Sequence, residues 1–268
     1  MGTAQDNWGS TARFGIFIVG TEVVPEAEWW AMAPTDVSVH AARVLAPAPW
    51  APWLDDGTGV ELALDLERGA AAFKGMALDA VVMAHTSSSV LGGPGWDQAV
   101  ITRLQSEVHP KTRVTTNGID CAHALQAMGV TKPFIVFPPW FGEKLIAAGM
   151  AYFAALGFPE AALHHSDAGE KWAGIPPQDL YGRLMHIEQD VGLLHDQIVA
   201  NCPATADGIL IAGTGVRCIG IIDALEQTLQ RPVITANQAS LWRCVGLAGV
   251  DMPVHGYGRL LSGPRGRV

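Results

Sequence analysis

The chain has 268 residues, 49% of them hydrophobic and 16% charged, which is typical of a folded protein with a large buried core. Its formal net charge of −9, without any long basic stretch, argues against nucleic acid as a partner. No run approaches the ~18 consecutive apolar residues of a membrane span, and the polar stretch 1–13 lacks the apolar core of a signal peptide, so no membrane partner is expected.

Short apolar segments alternate along the chain with longer segments of helical periodicity. The apolar segments predict eight strands, at 16–19, 37–41, 81–84, 114–116, 134–137, 161–164, 209–212 and 233–235. Most are continuously apolar, as in parallel strands that are buried on both faces. Helices are predicted at 60–74, 96–107, 118–128, 142–156, 178–200, 219–229 and 238–247. This alternation predicts an α/β fold with parallel sheets.

Two segments interrupt the alternation. The Pro- and Trp-rich segment 46–57 is too long for a simple connection, so we expect either a pocket wall or lid, or a packed surface loop. The small-residue segment 87–95 directly follows a predicted strand, where an anion-binding or substrate-approach loop would lie. Both segments are therefore candidates for contact with a ligand.

One sequence pattern occurs twice. Residues 79–87 (DAVVMAHTS) and 207–215 (DGILIAGTG) both read Asp, any residue, three apolar residues, Ala, a variable position and Thr. The variable position holds His85 in the first copy and Gly213 in the second. Ligands bind outside the carboxyl ends of parallel strands, and hydroxyl and N–H groups at such turns can bind an oxyanion. The alternative is a helix cap and a tight turn.

A duplication on this scale predicts two pseudo-symmetric, Rossmann-like lobes, each with a four-stranded parallel sheet flanked by helices. The first lobe is predicted to comprise residues 12–116 and 236–268, and the second residues 117–235. Loops that follow matching strands would then face each other across a cleft. The active site is therefore expected between the lobes.

The second copy, together with 232–242 (PVITANQASLW) and 256–260 (GYGRL), resembles the aspartate/glutamate racemase superfamily. Within it the chain is most similar to arylmalonate decarboxylases and maleate cis-trans isomerases, and segment 25–28 (PEAE) resembles the ExE pattern of the isomerases. The resemblance covers nearly the whole chain. It implies two α/β lobes, an active site in the cleft, a small-molecule substrate, and no cofactor or metal.

The resemblance also locates site residues. Family members use cysteine at one or both of the positions held here by His85 and Gly213: racemases keep both, maleate isomerases use one as nucleophile, and arylmalonate decarboxylases keep the second as proton donor. This chain has sulfur at neither position. Thr86 and Ser87 match the family's oxyanion-binding hydroxyls, and Trp140 falls where the family usually has tyrosine.

His85 is the candidate acid or base, because imidazole titrates near neutrality. Glu22, at the end of the first strand, would orient it, and Thr21 or Glu22 replaces the family's Asn or Ser contact to a substrate carboxylate. One alternative is that His85 only forms hydrogen bonds in the cleft. Another is that Cys218 takes the place of the missing thiol.

Further contacts come from the second lobe and from aromatic side chains. Substrate contacts are expected at Gly213, Thr214, Gly215 and Asn237. Four tryptophans in predicted loops form either an aromatic pocket for a planar or aryl substrate or plain packing: Trp50, Trp53, Trp96 and Trp140. His164 or His165, at the end of a predicted strand, could also line the cleft.

The sequence thus predicts a cofactor-independent enzyme that acts on a small carboxylate or carbonyl compound through an oxyanion-stabilised intermediate, by isomerisation or decarboxylation. Two alternatives stay open: a hydrolase of a small amide, imide or lactone with water activated by His85, and a non-catalytic small-molecule-binding protein. No spacing of histidines or cysteines predicts a metal site. Four cysteines without CxxC spacing are typical of a reduced, cytoplasmic protein, with a homo-oligomer as a further option.

Overall fold

Two four-stranded parallel sheets form the centre of the molecule in the computed structural model, which describes residues 7–263. The strands are β1 (Ala12–Val19), β2 (Val37–Val44), β3 (Ala80–Met83), β4 (Arg113–Thr116), β5 (Pro133–Phe137), β6 (Ala162–His165), β7 (Gly208–Ile211) and β8 (Val233–Thr235). The first sheet has the order β2-β1-β3-β4 and the second β6-β5-β7-β8. The predicted fold class and all eight predicted strands are confirmed.

Eleven α-helices lie among the described residues. They are α1 (Val24–Met32), α2 (Leu64–Lys74), α3 (Thr86–Gly92), α4 (Trp96–Gln105), α5 (Asn117–Ala127), α6 (Glu143–Ala155), α7 (Pro177–Leu180), α8 (Val191–Asn201), α9 (Ile222–Leu229), α10 (Ala236–Leu247) and α11 (Gly258–Ser262). Short 3-10 helices occur at Glu170–Trp172, Tyr181–Arg183 and Ile219–Ile221. Six of the predicted helices are confirmed in position, whereas the one at 178–200 is not continuous and is confirmed only in its second half, as α8.

The internal repeat corresponds to matching strands of the two sheets. Each sheet has its first strand in the interior, flanked by the second strand on one side and the third on the other. β3 and β7, which carry the repeated Asp-to-Thr pattern, therefore occupy the same place in the two sheets. All residues of both strands are buried, as their continuous apolar character predicts. The loops after β3 and β7 are structurally equivalent for this reason.

The predicted helix 178–200 is interrupted by a left-handed residue. Leu184 has a φ of 66°, which stops the 3-10 turn that follows α7. Helical structure resumes only at α8, where the Asp190 side chain accepts a hydrogen bond of 3.0 Å from the Leu193 N–H. The interruption leaves Tyr181 in a turn rather than on a regular helix. Apolar periodicity alone did not reveal this break.

The segment before α2 folds back on itself. Helix α2 was predicted to begin at 60 but begins at Leu64, because Trp53 and Val60 pair as an antiparallel bridge. The Ala63 N–H also donates to the Trp50 carbonyl over 2.9 Å. The Pro- and Trp-rich segment is thus held against the lobe by its own backbone hydrogen bonds.

The two lobes share one buried core. A single cluster of buried apolar side chains includes Ile16 and Val82 from the first sheet and Ile135 and Leu210 from the second. Helices α5 and α10 pack against each other, and α10 also contacts α1, β3 and β8. The lobe boundaries stay a prediction, and their last residues, 264–268, lie outside the described part of the chain. Within residues 7–263, no helix is long and apolar enough to cross a membrane.

Candidate active site

A cavity of about 440 Å³ lies at the carboxyl ends of β1, β3 and β7. The loops after β3 and β7 both line it, so His85 and Gly213 face the same space. Nine of the ten predicted site residues line this cavity: Thr21, Glu22, His85, Thr86, Ser87, Trp140, Gly213, Thr214 and Gly215. The tenth, Asn237, does not.

One wall of the cavity is apolar and aromatic. Residues 46–48 and Trp50 of the Pro- and Trp-rich segment contribute to it, together with Val44, Leu45, Trp140 and Phe141. Of the four tryptophans predicted as an aromatic pocket, Trp50 and Trp140 lie there. Trp96 is instead fully buried in the core of the first lobe, and Trp53 is 39% exposed and outside the lining. The segment is therefore a pocket wall, one of the two predicted options.

His85 is held in one orientation by its neighbours. Its ring stacks on Trp50, with centroids 4.2 Å apart and planes inclined by 20°. The ring atom Nδ1 lies 2.8 Å from Ser88 Oγ, which also accepts a hydrogen bond of 3.1 Å from the Trp50 N–H. Burial lowers the pKa of His85 to about 3, so the ring is neutral at physiological pH. This differs from the predicted titration near neutrality, because Trp50 and the loop keep water from most of the ring.

The predicted small-residue loop 87–95 begins instead as the helix α3. Most hydroxyl groups of α3 form hydrogen bonds to other side chains of the protein. The Thr86 hydroxyl donates to Asn117 Oδ1 over 2.6 Å, and the Ser89 hydroxyl donates to Asp97 Oδ1 over 2.7 Å. The Thr86 proton is therefore not available to a substrate oxyanion. Ser87 lines the cavity, and its hydroxyl has no hydrogen-bond partner within residues 7–263.

Asn237 holds the loop after β7 by a hydrogen bond to its backbone. The Asn237 side-chain amide donates to the Thr214 carbonyl over 2.9 Å and to Glu28 Oε2 over 2.8 Å. A capping box formed by Thr235 and Gln238 fixes the start of α10 and so the position of Asn237. Asn237 thus supports the Thr214 loop from outside the cavity lining, and a substrate contact of Asn237 stays a prediction.

Glu28 ties the first lobe to the second. It lies on α1, is buried, and its Oε1 accepts hydrogen bonds from the Cys218 N–H (2.8 Å) and the Ile219 N–H (3.2 Å). Burial raises the pKa of Glu28, and these donors and Asn237 oppose the rise. In the segment that resembles the ExE pattern, Glu26 pairs with Arg43 at the surface. Neither glutamate lines the cavity.

Glu22 is a buried acid at the edge of the cavity. Burial raises the pKa of its carboxyl to about 7, and the Tyr181 and Thr214 hydroxyls and the Arg43 guanidinium oppose that rise. No hydrogen bond joins Glu22 to His85, so the structure does not contain the contact by which Glu22 was expected to orient the ring. The carboxyl instead approaches the second lobe, where a Cβ on Gly215 would collide with Glu22 Oε1.

Tyr181 is a lining residue that the sequence did not indicate. Its ring stacks on His186 (centroids 4.2 Å apart) and meets the Trp140 ring edge-on at 5.6 Å. The sequence predicts a continuous helix here, whereas Tyr181 lies in a 3-10 turn that lines the cavity. No local pattern marks such a residue, because its position depends on the packing of a turn against the other lobe.

The remaining histidines and cysteines lie elsewhere. His164 contacts Gln197, and His165 lies 3.3 Å from the Pro139 carbonyl in a separate depression, so neither lines the predicted cleft. Cys218 is buried outside the cavity lining. Among the described residues, no group of three or more His, Cys, Asp and Glu side chains is arranged to hold a metal ion.

Thiol reagents are expected to leave the activity of this protein nearly unchanged. No cysteine lines the cavity within the described residues, and burial raises the pKa of Cys218 and Cys244, so few thiolates form. The measurement is turnover before and after treatment with iodoacetamide. Complete inactivation that substrate prevents, with the modification mapped to Cys218, would contradict this expectation.

Comparisons with known proteins identify a family and solved structures of similar fold. A model of the arylmalonate decarboxylase family matches residues 60–261. A glycine-to-cysteine mutant of arylmalonate decarboxylase in a sulfate-associated form has a TM-score of 0.73 at 20% identity, covering 94% of this chain and 99% of that one. The maleate isomerase of Pseudomonas putida S16 has a TM-score of 0.76 at 19% identity, covering 94% and 98%. No curated protein sequence matches the chain.

Proposed function

Because this chain belongs to the arylmalonate decarboxylase family, we propose that it is a cofactor-independent decarboxylase of small carboxylates that carry a planar or aryl group. The observation that carries this proposal is the convergence of both repeated loops on one cavity with an aromatic wall. Decarboxylation leaves negative charge on the remaining carboxylate as an enediolate. Preorganised donors in a site shielded from water stabilise such charge strongly.

The wall of the cavity suits the departing carboxylate. Val44, Leu45, Leu91, Phe141 and Leu145 line it, and no lysine or arginine does so within residues 7–263. A carboxylate against apolar side chains loses hydration, which favours its release as neutral CO2. The aromatic rings of Trp50 and Trp140 in the same lining offer a flat surface for a planar substituent.

The composition of the lining favours decarboxylation over isomerisation of the maleate type. Addition of a thiolate to a double bond needs a cysteine in the cavity, and none of the described lining residues is a cysteine. Decarboxylases of the family use their cysteine only as a proton donor, and another acid can supply that proton. Hydrolysis has no support from the matched enzymes, which are decarboxylases and isomerases.

In this proposal His85 is a neutral hydrogen-bond donor. The Trp50 N–H already donates to Ser88 Oγ, and the Ser88 hydroxyl proton has no acceptor other than His85 Nδ1 among the described residues. Donation to Nδ1 leaves the proton of the imidazole on Nε2. The Nε2–H group then acts on the developing oxyanion, together with the free Ser87 hydroxyl and the backbone N–H groups of the Thr214 loop.

Phenylmalonate is expected to release CO2 and form phenylacetate, whereas maleate is not expected to form fumarate. The reason is that the cavity holds oxyanion donors but no thiol. CO2 release and product formation are measured for the wild type, for Ser87→Ala and for the matched surface variant Ser106→Ala. Ser87→Ala should slow the reaction, and Ser106→Ala should not. Conversion of maleate without CO2 release from any arylmalonate would contradict the proposal.

A further inference from the structure

We infer that Glu22 carries the proton that is delivered to the reacting carbon in this cavity, an inference that rests on the proposed decarboxylation. Glu22 follows β1 in the first lobe, yet its carboxyl lies against the loop after β7 in the second. Gly215 leaves the space that the carboxyl occupies, since any side chain there would collide with Oε1. The acid therefore reaches from the first lobe to the loop after β7 in the second.

The carboxyl is placed so that its neutral form is favoured. Glu22 is 4% exposed, and its Oε2 is buried without a hydrogen-bond partner among the described residues. An ionised oxygen in such a place is costly, whereas a protonated one carries an O–H group that can be donated. Arg43, the cation that opposes the rise of the Glu22 pKa, donates to the Glu22 main-chain carbonyl over 2.7 Å and pairs with Glu26.

A comparison of the lining residues as proton donors also selects Glu22. Within residues 7–263, three titratable side chains line the cavity: Glu22, His85 and Tyr181. Burial lowers the pKa of His85 to about 3 and raises the pKa of Tyr181 above its ordinary value, so neither gains or loses a proton near neutrality. Burial raises the pKa of Glu22 to about 7, which is suited to a general acid at neutral pH.

The step balances with this acid alone. The bond between the α-carbon and the departing carboxylate breaks, CO2 leaves, and the electron pair moves into the remaining carboxylate as an enediolate. The electron pair of the enediolate C=C bond then takes the Glu22 proton onto the α-carbon, and the remaining carboxylate re-forms. The Glu22 carboxylate regains a proton from water before the next turnover.

Glu22→Gln is expected to lower kcat on phenylmalonate by about 10²–10⁴-fold with little change in KM. Glutamine has the shape of the neutral acid but cannot release a proton in this pH range. The wild-type rate should fall as pH rises through about 7, where Glu22 loses its proton, and this fall should be absent from the residual rate of the variant. Glu61→Gln is the matched control, because Glu61 is an exposed glutamate outside the cavity lining, and this variant should behave as the wild type.

A second measurement needs no turnover. Infrared titration of the wild type and Glu22→Gln should reveal a protonated carboxyl that ionises near neutrality and is missing from the variant. Wild-type kcat in Glu22→Gln, or a titration unchanged by the substitution, would overturn the role of Glu22. Absence of CO2 release by the wild type would overturn the proposed function instead, and the titration would still decide whether Glu22 holds a proton at neutral pH.

Discussion

His85→Ala is expected to lower kcat on phenylmalonate by about 10²–10³-fold, which is the usual effect of removing one donor from an oxyanion site. His85→Gln should stay within about tenfold of the wild type, because a side-chain amide N–H can replace the Nε2–H group. The neutral ring predicts that neither the wild type nor the variants show a pH dependence from His85 near neutrality, since burial lowers its pKa to about 3.

The comparison of the two variants separates hydrogen bonding from proton transfer. If His85 moved a proton, as the sequence predicted, alanine and glutamine would be equally harmful, because neither titrates. Steady-state kcat and KM across the neutral range make this test, with thermal unfolding of each variant as a check on folding. His195→Gln is the matched control, because His195 lies on α8 beside Asp196 and outside the cavity.

Glu28→Ala is expected to lower the free energy of unfolding by about 3–5 kcal/mol. The substitution leaves three donors without their acceptor: the N–H groups of Cys218 and Ile219 and the side-chain amide of Asn237. Each buried donor that loses its partner costs about 1–3 kcal/mol. Because Asn237 also holds the Thr214 carbonyl, turnover should fall as well.

Urea denaturation of the wild type and the variants measures this loss. Glu26→Ala is the control from the same helix, because Glu26 forms a partly exposed ion pair with Arg43, and such pairs contribute about 1 kcal/mol or less. Equal stability losses at the two positions would show that Glu28 does not hold the lobes and the Thr214 loop together in the way its hydrogen bonds indicate.

The sequence by itself determined the two sheets and the loops that line the candidate cavity. Continuous apolar segments such as 209–212 predict buried parallel strands, because local hydrophobicity reports burial on both faces. The repeated Asp-to-Thr pattern predicts equivalent loops, so the meeting of His85 and Gly213 at one cavity followed from chain symmetry. These features depend on residues close together in the chain.

The chemistry of the individual side chains was decided only by the tertiary structure. The pKa of His85 depends on the stacked Trp50 ring. The Thr86 hydroxyl donates its hydrogen bond to Asn117, which lies on another helix. Glu22 faces Gly215 across the cleft. In each case the deciding partner lies more than 30 residues away along the chain. Burial and hydrogen-bond partners set protonation states, and a linear pattern of residues does not contain them.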